Sequence, residues 1–89
     1  MKDFLPIGSV VLLQGAEKRI MLIGARQKKA DTEKMWDYSA VLYPEGMVDS
    51  NNVLLFNMDQ VEKIFFLGFQ DSECLRFAEM ISKFDETRE

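Results

Sequence analysis

Apolar residues form five short runs along the chain, and turn-forming or polar residues separate them. Runs of four to eight residues with β-branched and aromatic side chains are typical of strands. The pattern predicts strands over residues 9–13, 19–25, 36–43, 53–56 and 62–67. The early runs are apolar at consecutive positions, so we expect both faces of those strands to be buried.

After the fifth run the apolar period changes to that of a helix. Apolar residues recur at the i, i+3, i+4, i+7 spacing, at Cys74, Phe77, Ala78, Ile81 and Phe84. Either Asp71 or Ser72 can cap this helix. Asn57, with Gln60 three residues later, predicts a shorter helical turn between the fourth and fifth strands.

Five strands followed by one helix predict a single α+β domain over residues 1–89, with an ordered core at about 5–84. A curved antiparallel sheet or partly open barrel would bury both faces of the early strands, with the helix over one face or an open end. Gly24 is expected to mark a bulge or bend. The polar segment 26–35 is expected to be an exposed loop, and the tail 85–89 to fray.

Charge is unevenly distributed along the chain. The net charge is −4; residues 1–45 sum to +1 and residues 46–89 to −5. Nucleic acid is bound mainly through Lys and Arg, so this balance argues against a nucleic-acid partner. The basic cluster Arg26, Lys28 and Lys29 is better explained by a solvated loop.

Cysteine content and hydropathy bear on location. One cysteine cannot form an internal disulfide, which favours a reducing compartment. The start of the chain lacks the apolar run of a signal peptide, and no run approaches the roughly 20 residues that a membrane helix needs. The sequence therefore predicts a cytoplasmic protein with no membrane partner.

Candidate catalytic chemistry is sparse. The chain has no histidine, which is the commonest general base and the usual zinc ligand. Cys74 lies in the apolar stripe of the helix with no base beside it, so core packing is favoured over a nucleophilic role. Caps, turns and solvation account for the carboxylates at Asp49, Asp59, Glu62 and Asp71. The sequence therefore predicts no enzyme activity, no cofactor and no metal site.

The segment from Trp36 to Gly46 is the most distinctive part of the sequence. Alternation in a strand places Tyr38 and Leu42 on one face, where we expect core packing. Trp36, Tyr43 and Phe69 are candidates for a partner-binding surface, although core packing is an equally good reading of Trp36 and Phe69. Acidic candidates for contact with a basic partner are Glu45, Asp59 and Glu62.

Three segments resemble one family: Leu5–Val11, Trp36–Gly46 with its Tyr-Pro-Glu-Gly end, and Phe56–Phe69. The family comprises short Gram-positive bacterial proteins known as domain of unknown function four-one-seven-six, and the resemblance covers residues 4 to about 77. Its members are typically encoded in type VII secretion loci, near LXG polymorphic toxins. The resemblance implies a cytoplasmic chaperone or adaptor whose partner is a toxin encoded nearby.

Two other functions stay open at this point. An immunity protein would neutralise such a toxin rather than escort it, and acidic charge fits either role. A small-barrel module could instead bind a ligand or nucleic acid, although the net charge opposes the latter. A homodimer is also open, because small sheets expose edge strands that can pair.

Overall fold

Five strands form one antiparallel sheet, and a single helix follows them. The computed structural model describes residues 4–28 and 33–87. The elements are β1 (Val10–Leu13), β2 (Ile20–Lys28), β3 (Met35–Leu42), β4 (Leu54–Phe56), β5 (Val61–Phe66) and α1 (Ser72–Thr87), with short 3₁₀ helices at Ser50–Asn52 and Met58–Gln60. The strand order is β4-β3-β2-β1-β5. The predicted α+β class, with five strands and a C-terminal helix, is confirmed.

The sheet is curved because its two edge strands are consecutive in sequence. β4 ends at Phe56 and β5 begins at Val61, so the segment 57–60 links opposite edges of the sheet. Those edges would lie about 19 Å apart in a flat five-stranded sheet. A 3₁₀ turn rises only about 2 Å per residue and cannot span that distance, so the sheet curls. It remains open, since β4 and β5 do not pair within the described part of the chain.

The core lies on one face of the curled sheet. Its buried members come from four strands and the N-terminal segment: Leu5, Val11, Ile20, Leu22, Tyr38, Ala40 and Phe56. Tyr38 is fully buried, as the strand alternation predicted, and its Oη accepts a hydrogen bond from the Leu5 N–H at 2.9 Å. Burial is the main reason that the pKa of Tyr38 is raised.

A bulge interrupts β2 at the predicted position. Leu22 pairs with Ala40 and Gly24 pairs with Ser39, so one extra residue of β2 is accommodated between these pairs. A Cβ on Gly24 would lie 2.6 Å from the Ser39 Oγ. A side chain at this position would therefore have to displace the Ser39 hydroxyl.

The polar segment 26–35, expected to be an exposed loop, begins and ends in strands, and its described residues are mostly exposed. β2 continues to Lys28 and β3 begins at Met35, while residues 29–32, including Lys29 of the basic cluster, lie outside the described residues. The Arg26 side chain is only 5% exposed. The prediction was wrong at Arg26 because a charged side chain can extend a strand and be buried when a carboxylate pairs with it.

The carboxylate that pairs with Arg26 comes from the segment expected to fray. Helix α1 continues through Asp85 to Thr87, and residues 88–89 lie outside the described residues. Arg26 Nε and Nη2 donate to the two carboxylate oxygens of Asp85 at 2.8 and 2.7 Å. This bidentate pair anchors the end of the helix at Asp85, while the expected fraying of the tail 85–89 stays a prediction.

Arg26 also joins the helix to β3 and to the β4–β5 connection. Its Nη1 donates to the backbone carbonyl of Asp37 at 3.1 Å, and the Asp37 carboxylate accepts from the Met58 N–H at 2.8 Å. Burial acts to lower the pKa of Arg26, but Asp85 and then Asp37 outweigh it, so the pKa is raised. Arg26 has a φ of 54°, which costs a non-glycine residue about 1 kcal/mol, and these contacts offset that cost.

Gly68, just after β5, is packed against the N-terminal segment. Its N–H donates to Ser9 Oγ at 3.0 Å, and that hydroxyl donates to the Pro6 carbonyl at 2.7 Å. A Cβ at this position would overlap the Ile7 carbonyl. The absence of a side chain therefore allows the segment before β1 to lie directly on the end of β5.

We predict that Asp85→Asn lowers the free energy of unfolding by about 2 kcal/mol, because the substitution removes one partner of a largely buried ion pair. Urea denaturation measures the change. Glu86→Gln is the matched control, since Glu86 is exposed in the same turn and should change stability by less than about 0.5 kcal/mol. Equal effects of the two variants would contradict the anchoring role of Asp85.

We predict that Gly68→Ala also lowers the free energy of unfolding by about 2 kcal/mol, because the added methyl group must displace the Ile7 backbone. Thermal denaturation followed by circular dichroism checks this. Gln70→Ala is the control, because Gln70 is exposed two residues further along. A Gly68→Ala protein as stable as the parent would show that the contact is looser than described.

Candidate protein-binding surface

The end of β5 and the residues after it expose several large apolar side chains that lie close together in the sequence. Between 43% and 80% of each is exposed, at Ile64, Phe65, Phe66, Leu67 and Phe69. β5 is an edge strand whose described neighbour is β1 alone. Exposed apolar side chains in such number, in a small domain, are typical of sites of protein or ligand contact.

Two irregularities in the β1–β5 ladder set the directions of these side chains. Val10 pairs with Phe66 but Val11 pairs with Ile64, and a second shift separates Leu12 from Leu13. Each shift inserts an extra β5 residue, and bulges of this kind re-aim side chains. The shift at Phe65 explains how two consecutive phenylalanines, Phe65 and Phe66, line the same groove.

We call that groove the Arg19 groove. It has a volume of about 530 Å³ and is lined by Gly8, Val10, Arg19, Met21, Tyr43, Phe65 and Phe66. Val10 and Met21 alternate with core residues along their strands, so the groove lies on the face opposite the core. The guanidinium carbon of Arg19 is 5.3 Å from the ring centre of Tyr43 and 5.4 Å from that of Phe65.

A second groove, which we call the Phe69 groove, lies beside the start of α1. It has a volume of about 490 Å³ and is lined by Phe4, Ile7, Phe69, Asp71, Glu73, Cys74 and Phe77. Phe4 and Phe77 meet edge to face with ring centres 5.7 Å apart. Ile7 lines this groove and the next residue, Gly8, lines the Arg19 groove, so the two grooves adjoin.

The helix contributes to the second groove because its apolar stripe is only partly covered. Ile81 is buried, whereas Phe77 is 43% and Phe84 40% exposed. Cys74 is partly buried in the groove wall rather than in the core that was expected. Asp71 is the residue that caps the helix, since its Oδ1 accepts from the Cys74 N–H at 2.9 Å.

Two of the predicted partner-binding residues lie in these grooves. Tyr43 forms part of the Arg19 groove and is 37% exposed, and Phe69 forms part of the other and is 80% exposed. Trp36 lies in neither groove: it is partly buried on β3, with the Lys34 Nζ 4.0 Å from the centre of its ring. The structure thus places Tyr43 and Phe69 in the two grooves and Trp36 in neither.

The acidic candidates are exposed but line neither groove. Glu45 lies in the turn that begins at Tyr43 and binds Lys18, with 2.8 Å between Oε1 and Nζ. Asp59 lies in the 3₁₀ turn before β5, and Glu62 lies in β5 at one of the bulges. None of these three carboxylates therefore belongs to either groove wall.

Sequence reasoning missed the residues that define the Arg19 groove: Arg19, Phe65 and Phe66. Their proximity depends on β1 lying between β2 and β5, which no local pattern encodes. A signal was present in the last strand, where consecutive apolar residues lead into Gly68 and a further phenylalanine. An edge strand cannot bury so many consecutive apolar side chains, so some of them are expected to be exposed.

The described residues hold no group of three or more His, Cys, Asp or Glu that could bind a metal ion. None of the helical residues described forms a segment long and apolar enough to cross a membrane. The chemistry that the two grooves offer is burial of apolar side chains, together with a cationic group in one and carboxylates in the other.

Lys18 lowers the pKa of the Glu45 carboxyl, chiefly through their hydrogen bond. We predict that a side-chain NMR titration gives Glu45 a midpoint below the ordinary glutamate value, and that Lys18→Gln raises it. Because the folded-state pKa is depressed, the pair supports folding above the ordinary pKa and loses that effect as pH falls through the lowered value. An unchanged Glu45 midpoint in Lys18→Gln would show that the pair does not form in solution.

No curated protein and no solved structure matches the chain. A family model does match, over residues 4–77, and it is described as Domain of unknown function (DUF4176). The match includes all five strands and the first turns of α1, and it agrees with the resemblance carried by the three sequence segments. The chain therefore belongs to the family Domain of unknown function (DUF4176).

Proposed function

We propose that this protein is a non-enzymatic accessory protein that binds another protein through β5 and the two grooves beside it. The observation that carries the proposal is the exposed apolar set from Ile64 to Phe69. Burying one large apolar side chain contributes about 1.5–3 kcal/mol. Contact with a few of these side chains would therefore supply a substantial part of a specific binding energy.

Side-chain docking is favoured over the addition of a strand. Bulges interrupt β5 at two places, and the other edge strand, β4, has only three residues. Short or bulged edges are the usual means by which sheets avoid pairing with foreign strands. Tyr43 and Arg19, residue types that often dominate interfaces, lie beside the phenylalanines and fit the docking mode.

We propose that the partner is an LXG-type toxin of a type VII secretion system, and that the protein acts in the cytoplasm as its chaperone or adaptor. The resemblance to a family encoded beside such toxins supports this identity. The exposed apolar surface fits the task, because a chaperone must cover apolar parts of its client until export. The charge of −5 over residues 46–89 favours a client with a basic surface.

We predict that Phe66→Ser and Phe69→Ser each weaken toxin binding more than tenfold, since each removes a large apolar contact. The protein is co-expressed with the toxin encoded beside its gene, and co-elution in size exclusion and soluble toxin yield are measured. Both residues are at least 60% exposed, so the unfolding temperature should hardly change. Val48→Ser is the control, because Val48 is 71% exposed and lines neither groove.

Growth and export measurements separate a chaperone from an immunity protein. Deletion of a chaperone lowers the level or the export of the toxin, whereas an immunity protein restores growth of cells that express the active toxin. Rescue of growth without any effect on toxin level would replace the chaperone proposal with the immunity function. Failure of the parent protein to co-elute with the toxin or to stabilise it would overturn both.

A further inference from the structure

We propose that the Arg19 groove recognises an acidic, apolar segment of the partner protein. A large apolar side chain of the partner fills the groove, and a neighbouring Asp or Glu carboxylate binds the Arg19 guanidinium. This inference rests on the proposed protein-binding function. It specifies the kind of partner segment that the Arg19 groove binds.

The guanidinium of Arg19 is held by rings rather than by an acid. Its carbon lies 5.3 and 5.4 Å from the ring centres of Tyr43 and Phe65, and it forms no ion pair within the described part of the chain. A guanidinium stacked on aromatic faces keeps the N–H donors at its edge available. Those donors match the two oxygens of a carboxylate.

The nearby basic residues show that Arg19 is a special case. The preceding residue, Lys18, binds Glu45 at 2.8 Å, and Arg26 further along β2 binds Asp85. Lys63 adds a second positive charge at the rim, with its Nζ 4.9 Å from the ring centre of Phe65. The groove is thus locally basic in a protein whose net charge is −4.

The apolar lining of the Arg19 groove determines which apolar side chain of the partner fits there. Val10, Met21, Phe65 and Phe66 form walls that gain most from an aromatic or branched aliphatic side chain. The volume of about 530 Å³ lies within the range of pockets that bind small ligands. A free carboxylate alone would leave these walls uncovered, so the apolar residue and the acid act together.

The adjoining groove supplies an internal contrast. Asp71 and Glu73 line the Phe69 groove, so a carboxylate placed there meets like charge. An acidic segment therefore binds at Arg19 and not at Phe69. The two grooves are both apolar but select opposite charges.

The test uses the full chain and two blocked peptides, acetyl-Gly-Leu-Glu-Phe-Glu-Gly-amide and its counterpart with glutamine in place of glutamate. We expect ¹H–¹⁵N NMR titration to show that the acidic peptide binds about fivefold more tightly. A ratio of that size is what one modest charge-assisted hydrogen bond produces. Shifts should centre on the residues of the Arg19 groove. Added salt should reduce the preference.

Arg19→Gln should remove the preference for the acidic peptide, and Lys18→Gln, which loses the same charge one residue away, should retain it. Arg19 is exposed, so its replacement does not remove a core contact. Equal affinity of the parent protein for both peptides would overturn the inference. So would a preference that survives in Arg19→Gln, or shifts centred on the Phe69 groove.

Three further outcomes keep this inference separable from the proposed function. If self-association is found by sedimentation and is abolished by Arg19→Gln, the occupant is a second copy and the inference is wrong. If Phe66→Ser releases the toxin while the peptides show no charge preference, the groove assignment fails and the protein-binding function stands. A peptide preference without any toxin binding would support the groove and reject the toxin.

Discussion

The Arg26 guanidinium is the contact on which the arrangement of the other elements depends. It joins β2 to the end of α1 through Asp85 and to β3 through the Asp37 carbonyl. Asp37 in turn holds the β4–β5 connection through the Met58 N–H. Bidentate and largely buried ion pairs are specific in geometry, and loss of one partner leaves a charge without compensation. The pair therefore fixes where the helix ends on the sheet.

The position of the helix determines what remains uncovered. Asp85 anchors one end, and the contact between Phe77 and Phe4 holds the other near Tyr38, at the core face. The lining of the Arg19 groove, which includes Phe65 and Phe66, contains no residue of α1. A domain of this size buries only about two thirds of its chain surface, so one helix cannot cover both faces. The exposed phenylalanines follow from that geometry.

Local pattern predicted the elements well and the long-range contacts poorly. The apolar runs predicted the five strands, Gly24 predicted a bulge or bend in β2, and the pair Asp71 and Ser72 predicted the helix cap, because each depends on residues close in sequence. The Arg26–Asp85 pair joins residues far apart in the chain, so the pattern suggested a solvated loop and a frayed tail instead. Within the candidate surface, Tyr43 and Phe69 were found from their residue types, whereas the strand order brought Arg19 to them.

The net charge of a stretch of sequence likewise differs from the charge found at one place on the folded surface. Summed along the sequence, the second half is acidic and suggests attraction to a basic partner. On the surface, the Arg19 groove is bounded by Arg19 and Lys63, and the adjoining groove by Asp71 and Glu73. Under the proposed binding mode, a partner that covers both grooves presents an acid to one and a base to the other. In that mode the apolar side chains lining both grooves would supply affinity, and the different charges of the two grooves would fix the direction in which the partner segment runs.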